Sequence, residues 1–173
     1  ALAAGDISAW VWWQLAEKPK SDVNSDVYCL MHEDQPTVRY YASKHYYRWI
    51  RPDAIRIDAL CDDTTIEVTA YNHKQKKTLT LVVINPTSSS KQISLSGAQL
   101  PSTFEVHRST SSLRCEKQSD MSSGGSLSLP ARSVTTLYGT NFHPPAVGVE
   151  HPHRTLQRRR VTGVPAATYD ISG

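Results

Sequence analysis

The side chains with the most chemical character near the start of the chain are Trp12 and Trp13, adjacent in the run ISAWVWWQL of residues 7–15. Indole faces stack on the apolar faces of sugar rings while polar neighbours add hydrogen bonds, so this pair is the first candidate for carbohydrate contact. Successive strand residues point to opposite sides, which sends one indole toward a binding surface and the other under a covering element. Burial of both in a core is the competing reading. Tyr40, Tyr41, Tyr46 and Tyr47 form two further aromatic pairs, and packing explains Tyr41 and Tyr46 better than a sugar platform does. On the later strands Tyr71, His73 and His107 are candidate surface contacts, although such residues more often serve the scaffold. His151 and His153 lack cysteine or carboxylate companions at ligand spacing, so neither a metal nor another cofactor is expected. Cys29, Cys61 and Cys115 permit at most one internal disulfide. Cys61 with Cys115 is the favoured pairing if one forms, because both fall in one predicted sandwich; three unbridged thiols in a reduced protein fit as well.

The elements that must position these residues divide the chain into three parts. Residues 7–15 are continuously apolar and aromatic, as in a strand buried on both faces. Pro36, preceded by Asp34, suits the first turn of a helix. Val38, Tyr41, Ala42, His45, Tyr46, Trp49 and Ile50 then share one helical face, and Arg51 and Pro52 end the helix. Beyond Pro52 the period changes to two. Ile55, Ile57 and Ala59, then Ile66, Val68 and Ala70, then Leu79, Leu81 and Val83 alternate with other residues, as in half-buried antiparallel strands. Further strands are expected over 91–95, 103–109, 113–117, 126–129 and 133–138. Turn residues separate them: Asp62-Asp63, 72–76, Asn85-Pro86, Gly97, Pro101 and Gly124-Gly125. About eight short strands at this spacing predict a mainly β chain, an antiparallel β-sandwich over 53–140. Residues 141–173, rich in proline, histidine and arginine without periodicity, read as an irregular, solvated tail.

Composition sets limits on partners. A hydrophobic share of 39% and a charged share of 20% fit a soluble globular domain, and no apolar run is long enough to span a bilayer. The formal charge of +3 comes largely from Arg154, Arg158, Arg159 and Arg160 in the tail, which gives no case for nucleic acid as a partner. Ala1 to Ala4 lack a basic leader and a long hydrophobic stretch, so the start reads as a cut through a longer protein.

Five phrases carry a resemblance: WVWWQL, SKHYYRWIRPDAIRIDA (43–59), TIEVTAYN, TLTLVVIN and LPARSVTTLYG (129–139). Over roughly residues 7–139 the chain resembles the C-terminal third of family 30 glycoside hydrolases, in which a (β/α)8 barrel is fused to a β-sandwich. The junction phrase is carried by Trp49-Ile50-Arg51-Pro52-Asp53-Ala54-Ile55-Arg56. The resemblance implies that residues 1–52 are a remnant of the last barrel strand and helix. It implies, too, a lineage of retaining hydrolases of β-linked glycans: xylanases and glucuronoxylanases, β-1,6-galactanases, and enzymes resembling glucosylceramidases. Such enzymes use two glutamates about 5 Å apart, and neither position can be matched here, so no catalytic residue is assigned. Glu17 follows the strand, and Glu33 and Asp34 flank a helix start, where capping explains a carboxylate. Glucuronoxylanases follow the double tryptophan with an arginine; Leu15-Ala16-Glu17 stands there instead, and cannot make that bidentate contact. The expectation is a non-catalytic, carbohydrate-associated sandwich, binding β-linked polysaccharide or bracing the barrel, in a secreted or extracytoplasmic parent enzyme. The alternatives are an active hydrolase completed by another chain or by self-association through the barrel remnant, and a structural domain without ligand.

Overall fold

The computed structural model describes residues 11–12, 14–17, 29–32, 34–144 and 168–172. Most of the expected strand over 7–15, Trp13 included, lies outside the described residues. What is described begins with three two-residue strands, β1 (Ala16–Glu17), β2 (Met31–His32) and β3 (Gln35–Pro36). β1 runs parallel to β2, and β2 pairs antiparallel with β3 through a turn in which Asp34 has a φ of 63°. Pro36 therefore sits in a strand rather than in a first helical turn, and Asp34 caps no helix. The helix α1 spans Val38–Tyr47, and its leading residue Thr37 donates instead to the carbonyl of Leu30 at 2.9 Å.

The sandwich follows as β4 (Ile55–Cys61), β5 (Glu67–His73), β6 (Thr78–Asn85), β7 (Lys91–Ser96), β8 (Thr103–Ser109), β9 (Glu116–Lys117), β10 (Met121–Ser122), β11 (Ser126–Leu129), β12 (Ser133–Thr140) and β13 (Thr168–Ser172). Hydrogen bonding runs in the order β10-β8-β12-β6-β5-β4-β13-β7-β11, with β9 on β8. β4 belongs to both layers: Ile55 to Ile57 pair with β5, whereas Asp58 to Cys61 pair with β13. A strand shared in this way turns the corner of a sandwich. Among the described residues, all pairings in it are antiparallel except that of β13 with β4.

The core lies between the layers. Ala70, Leu79, Leu81, Val83, Phe104, Val106 and Leu137 face Ile93, Leu95 and Leu129 across it. Ile57 and Ala59 pack against the core as the alternation predicts, but Ile55 is 65% exposed, standing opposite Asn72 where the core ends. β6 departs from half-burial. Its other face, Thr78, Thr80 and Val82, is buried as well, because the segment from α1 to Trp49 covers that side and Thr80 Oγ1 reaches the carbonyl of Trp49. Of the expected helical face His45 is fully buried, while Val38, at the first turn, is 61% exposed. The stretch read as irregular tail differs at two places: Phe142 is buried in the core, and Thr168–Ser172 form β13 inside the second layer. The alternation of Tyr169 and Ile171 escapes notice because the residues around it show no period.

Two sequence phrases acquire their physical reason here. Asn85, fully buried, donates from Nδ2 to the carbonyls of Leu129, Pro130 and Ser89 and accepts at Oδ1 from Thr87, so the end of β6 is tied to the turn before β12. Gly139 closes the last phrase because a Cβ there would stand 2.5 Å from Pro101 Cγ and 2.9 Å from Phe104 Cε1.

Candidate functional site

The side chains with perturbed chemistry gather on the sheet face beneath α1. His45 projects from the helix with no solvent exposure. Ser109 Oγ already accepts the N–H of Cys115 at 2.9 Å, so its hydroxyl proton is available to His45 Nε2, also 2.9 Å away. His45 Nδ1–H then donates to Thr136 Oγ1 at 2.8 Å, and Thr136 returns its own proton to the His45 carbonyl at 3.3 Å. The neutral, Nδ1-protonated imidazole satisfies every member of this ring. Burial lowers the His45 pKa to about 4, with smaller contributions from His107 and Lys44. His107 stacks under Trp49 with ring centroids 4.4 Å apart, and burial lowers its pKa too. Farther along, burial pushes the Tyr46 phenol up to about 12 beside Thr69 and Tyr71, and the Cys115 thiol up to about 11.

The outer side of α1 is different. It forms one wall of an open groove of about 580 Å³ whose other side is Leu15 and Leu30. Tyr40, Ser43, Lys44, Tyr47, Arg48 and Arg51 recur at helical spacing along that wall. Among the described residues the lining thus presents two phenol rings and three cations, and no carboxylate. Phenols and cations can hydrogen-bond hydroxyls and pair with anions; among the described residues the groove holds no pair of acids of the kind glycoside cleavage uses.

Residues 53–137 match the family profile described as the glycosyl hydrolase family 30 beta sandwich domain. The chain carries that family's sandwich. The family 30 sandwich is matched in solved structures as well. The catalytic domain of a family 30 xylanase C from Talaromyces cellulolyticus is 27% identical with a TM-score of 0.60, over 72% of this chain and 29% of that one. A family 30 endoxylanase from Clostridium papyrosolvens C71 is 21% identical with a TM-score of 0.57, over 62% and 28%. A family 30 subfamily 8 xylanase from Clostridium acetobutylicum is 19% identical with a TM-score of 0.55, over 66% and 31%. The chain therefore spans less than a third of the length of these enzymes. No curated protein matches it.

The residues singled out from sequence around the family 30 sandwich scatter. Trp12 is half-buried and Trp13 lies outside the described residues, as do His151 and His153. The tyrosine pairs split: Tyr40 and Tyr47 line the groove, whereas Tyr46 turns to the sheet. Tyr71 and His73 are buried rather than surface groups, since the layer that carries them is covered on both faces. No disulfide joins Cys61 to Cys115. Among the described residues no cluster of three or more His, Cys, Asp or Glu could hold a metal, and no helix is long and apolar enough to cross a membrane. Sequence reasoning missed the row Lys44, Arg48 and Arg51; their spacing of four and three, continuous with Tyr40 and Tyr47, was the available signal. It placed His45 on the inner face without recognising it as the residue that fastens helix to sheet.

Proposed function

We propose that the chain is a non-catalytic, carbohydrate-associated module of a retaining family 30 glycoside hydrolase acting on plant-type β-glycans such as xylan, and that its part is to brace the catalytic barrel. The observation that carries this reading is the anchorage of α1: the helix that the resemblance assigns to the barrel is bonded to the sandwich through a buried histidine. An element anchored to a packed sheet can hold the groups it carries in register. Xylan is favoured as the glycan because the three family 30 structures described above are of xylanases. The parent enzyme, on this reading, works outside the cytoplasm. A reducing-sugar assay on xylan and calorimetric titration with xylo-oligosaccharides test it. Bracing predicts neither turnover nor heat from this chain alone, and turnover by purified monomer would refute it.

A second reading, direct glycan binding through Trp12, Trp13 and the groove, is favoured by the two tyrosines and three cations of the lining. Saturable heat abolished by Trp12→Ala or Tyr47→Ala would establish it. Hydrolysis by an assembly would need the rest of the barrel from another polypeptide or from self-association, since this chain spans under a third of the xylanases. Activity appearing only on mixing would identify that case.

A further inference from the structure

We propose that the gap between β4 and β7 is a strand-accepting site, filled in cis by the chain's own C-terminal residues 168–172 and able to take the same segment back as a separate peptide. The two strands flanking the gap do not pair with each other; the ladder passes from β4 to β7 only through β13. β13 lies beyond residue 137, where the family 30 profile ends, and it runs parallel to its neighbour β4, whereas the other described sandwich pairings are antiparallel. Parallel pairing excludes a hairpin connection, so this strand arrives from outside the meander that builds the rest of the layer.

The gap specifies what it accepts. Its rims are the backbone edges of Asp58 to Cys61 and of Ser94 to Ser96. Its floor is apolar: Ala59 and Cys61 pack on the core from one rim and Ile93 and Leu95 from the other. Without an occupant two strand edges would stand unpaired over exposed core, which is the condition that recruits an added strand. The register sets positions 169 and 171 across from Ala59 and Cys61, with 171 also across from Leu95. The fitting partner is thus an extended segment of about five residues with apolar residues at alternate positions; Thr168–Ser172, with Tyr169 and Ile171, has that pattern.

The test uses the full chain carrying Asp170→Pro with Ile171→Pro. Successive backbone N–H groups point to opposite rims, so the pair removes one donor toward each. Hydrogen exchange should quicken at least about tenfold at 58–61 and 94–96 and stay unchanged in β5, β6, β8 and β12. Excess peptide of the sequence of residues 166–173 should restore protection at those amides, and a scrambled peptide should not. Unchanged exchange at the rims, or loss that the peptide fails to reverse, overturns the proposal. If the proline variant loses protection everywhere, Tyr169→Gly with Ile171→Gly keeps every donor and is read by the same scheme. Loss from both layers there too, without rescue, refutes an exchangeable strand.

Discussion

Acidification should loosen the helix from the sandwich, and His45 fixes the window. Its imidazole is neutral in the fold, with a pKa lowered from 6.5 to about 4 mainly by burial. Between those values the unfolded chain binds a proton that the folded chain does not, so stability rises with pH across that interval. Full stabilisation is present above pH 6.5, declines as pH falls, and levels off below 4. At about 1.36 kcal/mol per pKa unit the group contributes about 3 kcal/mol, a large share of a small domain's stability. Protonation would oblige Ser109 Oγ to accept from both Nε2–H and the Cys115 N–H, leaving its own proton without this acceptor. The groups facing His45 oppose its charge: His107 from β8 and Lys44 from its own helix both lower the pKa. Urea unfolding of the wild type and of His45→Gln between pH 7.5 and 3.5 measures the effect, because carboxylate titrations common to both cancel. The variant should be the weaker protein at neutral pH and converge on the wild type by roughly 3 kcal/mol near pH 4. Parallel curves, or a His45 titration midpoint near 6.5 by NMR, would refute the reasoning.

Three further outcomes follow from the packing. Gly139→Ala forces a methyl against Pro101 and Phe104; overpacking of this kind should cost about 1–3 kcal/mol, read as a lowered Tm. Asn85→Ala removes the donors to the Leu129, Pro130 and Ser89 carbonyls together. A loss of about 2–3 kcal/mol is expected in denaturant unfolding, and a loss below about 0.5 would show that the turn holds without it. The Cys115 thiol is 5% exposed and its pKa is pushed up from 9.0 to about 11. At neutral pH its labelling by a disulfide reagent should be about a hundredfold slower than that of an ordinary thiol and should become fast in urea.

What could be read from sequence follows from what each element packs against. β8 and β11 have the expected limits: Phe104 and Val106 in one, Leu127 and Leu129 in the other, alternate toward the core. Thr78, Thr80 and Val82 misled because alternation reports one covered face and is silent about a second cover from a helix more than thirty residues away. The expected strand over 113–117 shrinks to Glu116–Lys117 because the chain turns at Cys115, whose φ is 58°, and no glycine or proline marks that turn. β13 is easily overlooked because its short alternation, Tyr169 and Ile171, sits in a stretch otherwise without period, and the edges of β4 and β7 that it joins lie far back in the chain.

The candidate site was legible in proportion to how local its chemistry is. Helical spacing alone could have aligned Tyr40, Lys44, Tyr47, Arg48 and Arg51. The role of His45 could not be read, because Ser109 and Thr136 come from strands far along the chain and only the fold brings their hydroxyls to the two ring nitrogens. That distance is itself informative. A histidine whose two ring nitrogens are engaged by two strands of the sandwich fastens the helix to this domain. α1 is then docked on the sheet through this histidine and through Trp49, as a unit that can loosen by itself. If so, Trp49→Ala, which removes the ring stacked on His107, should raise hydrogen exchange in α1 while the amides of β6 keep their protection. Equal loosening of helix and sheet would show instead that the two unfold as one unit.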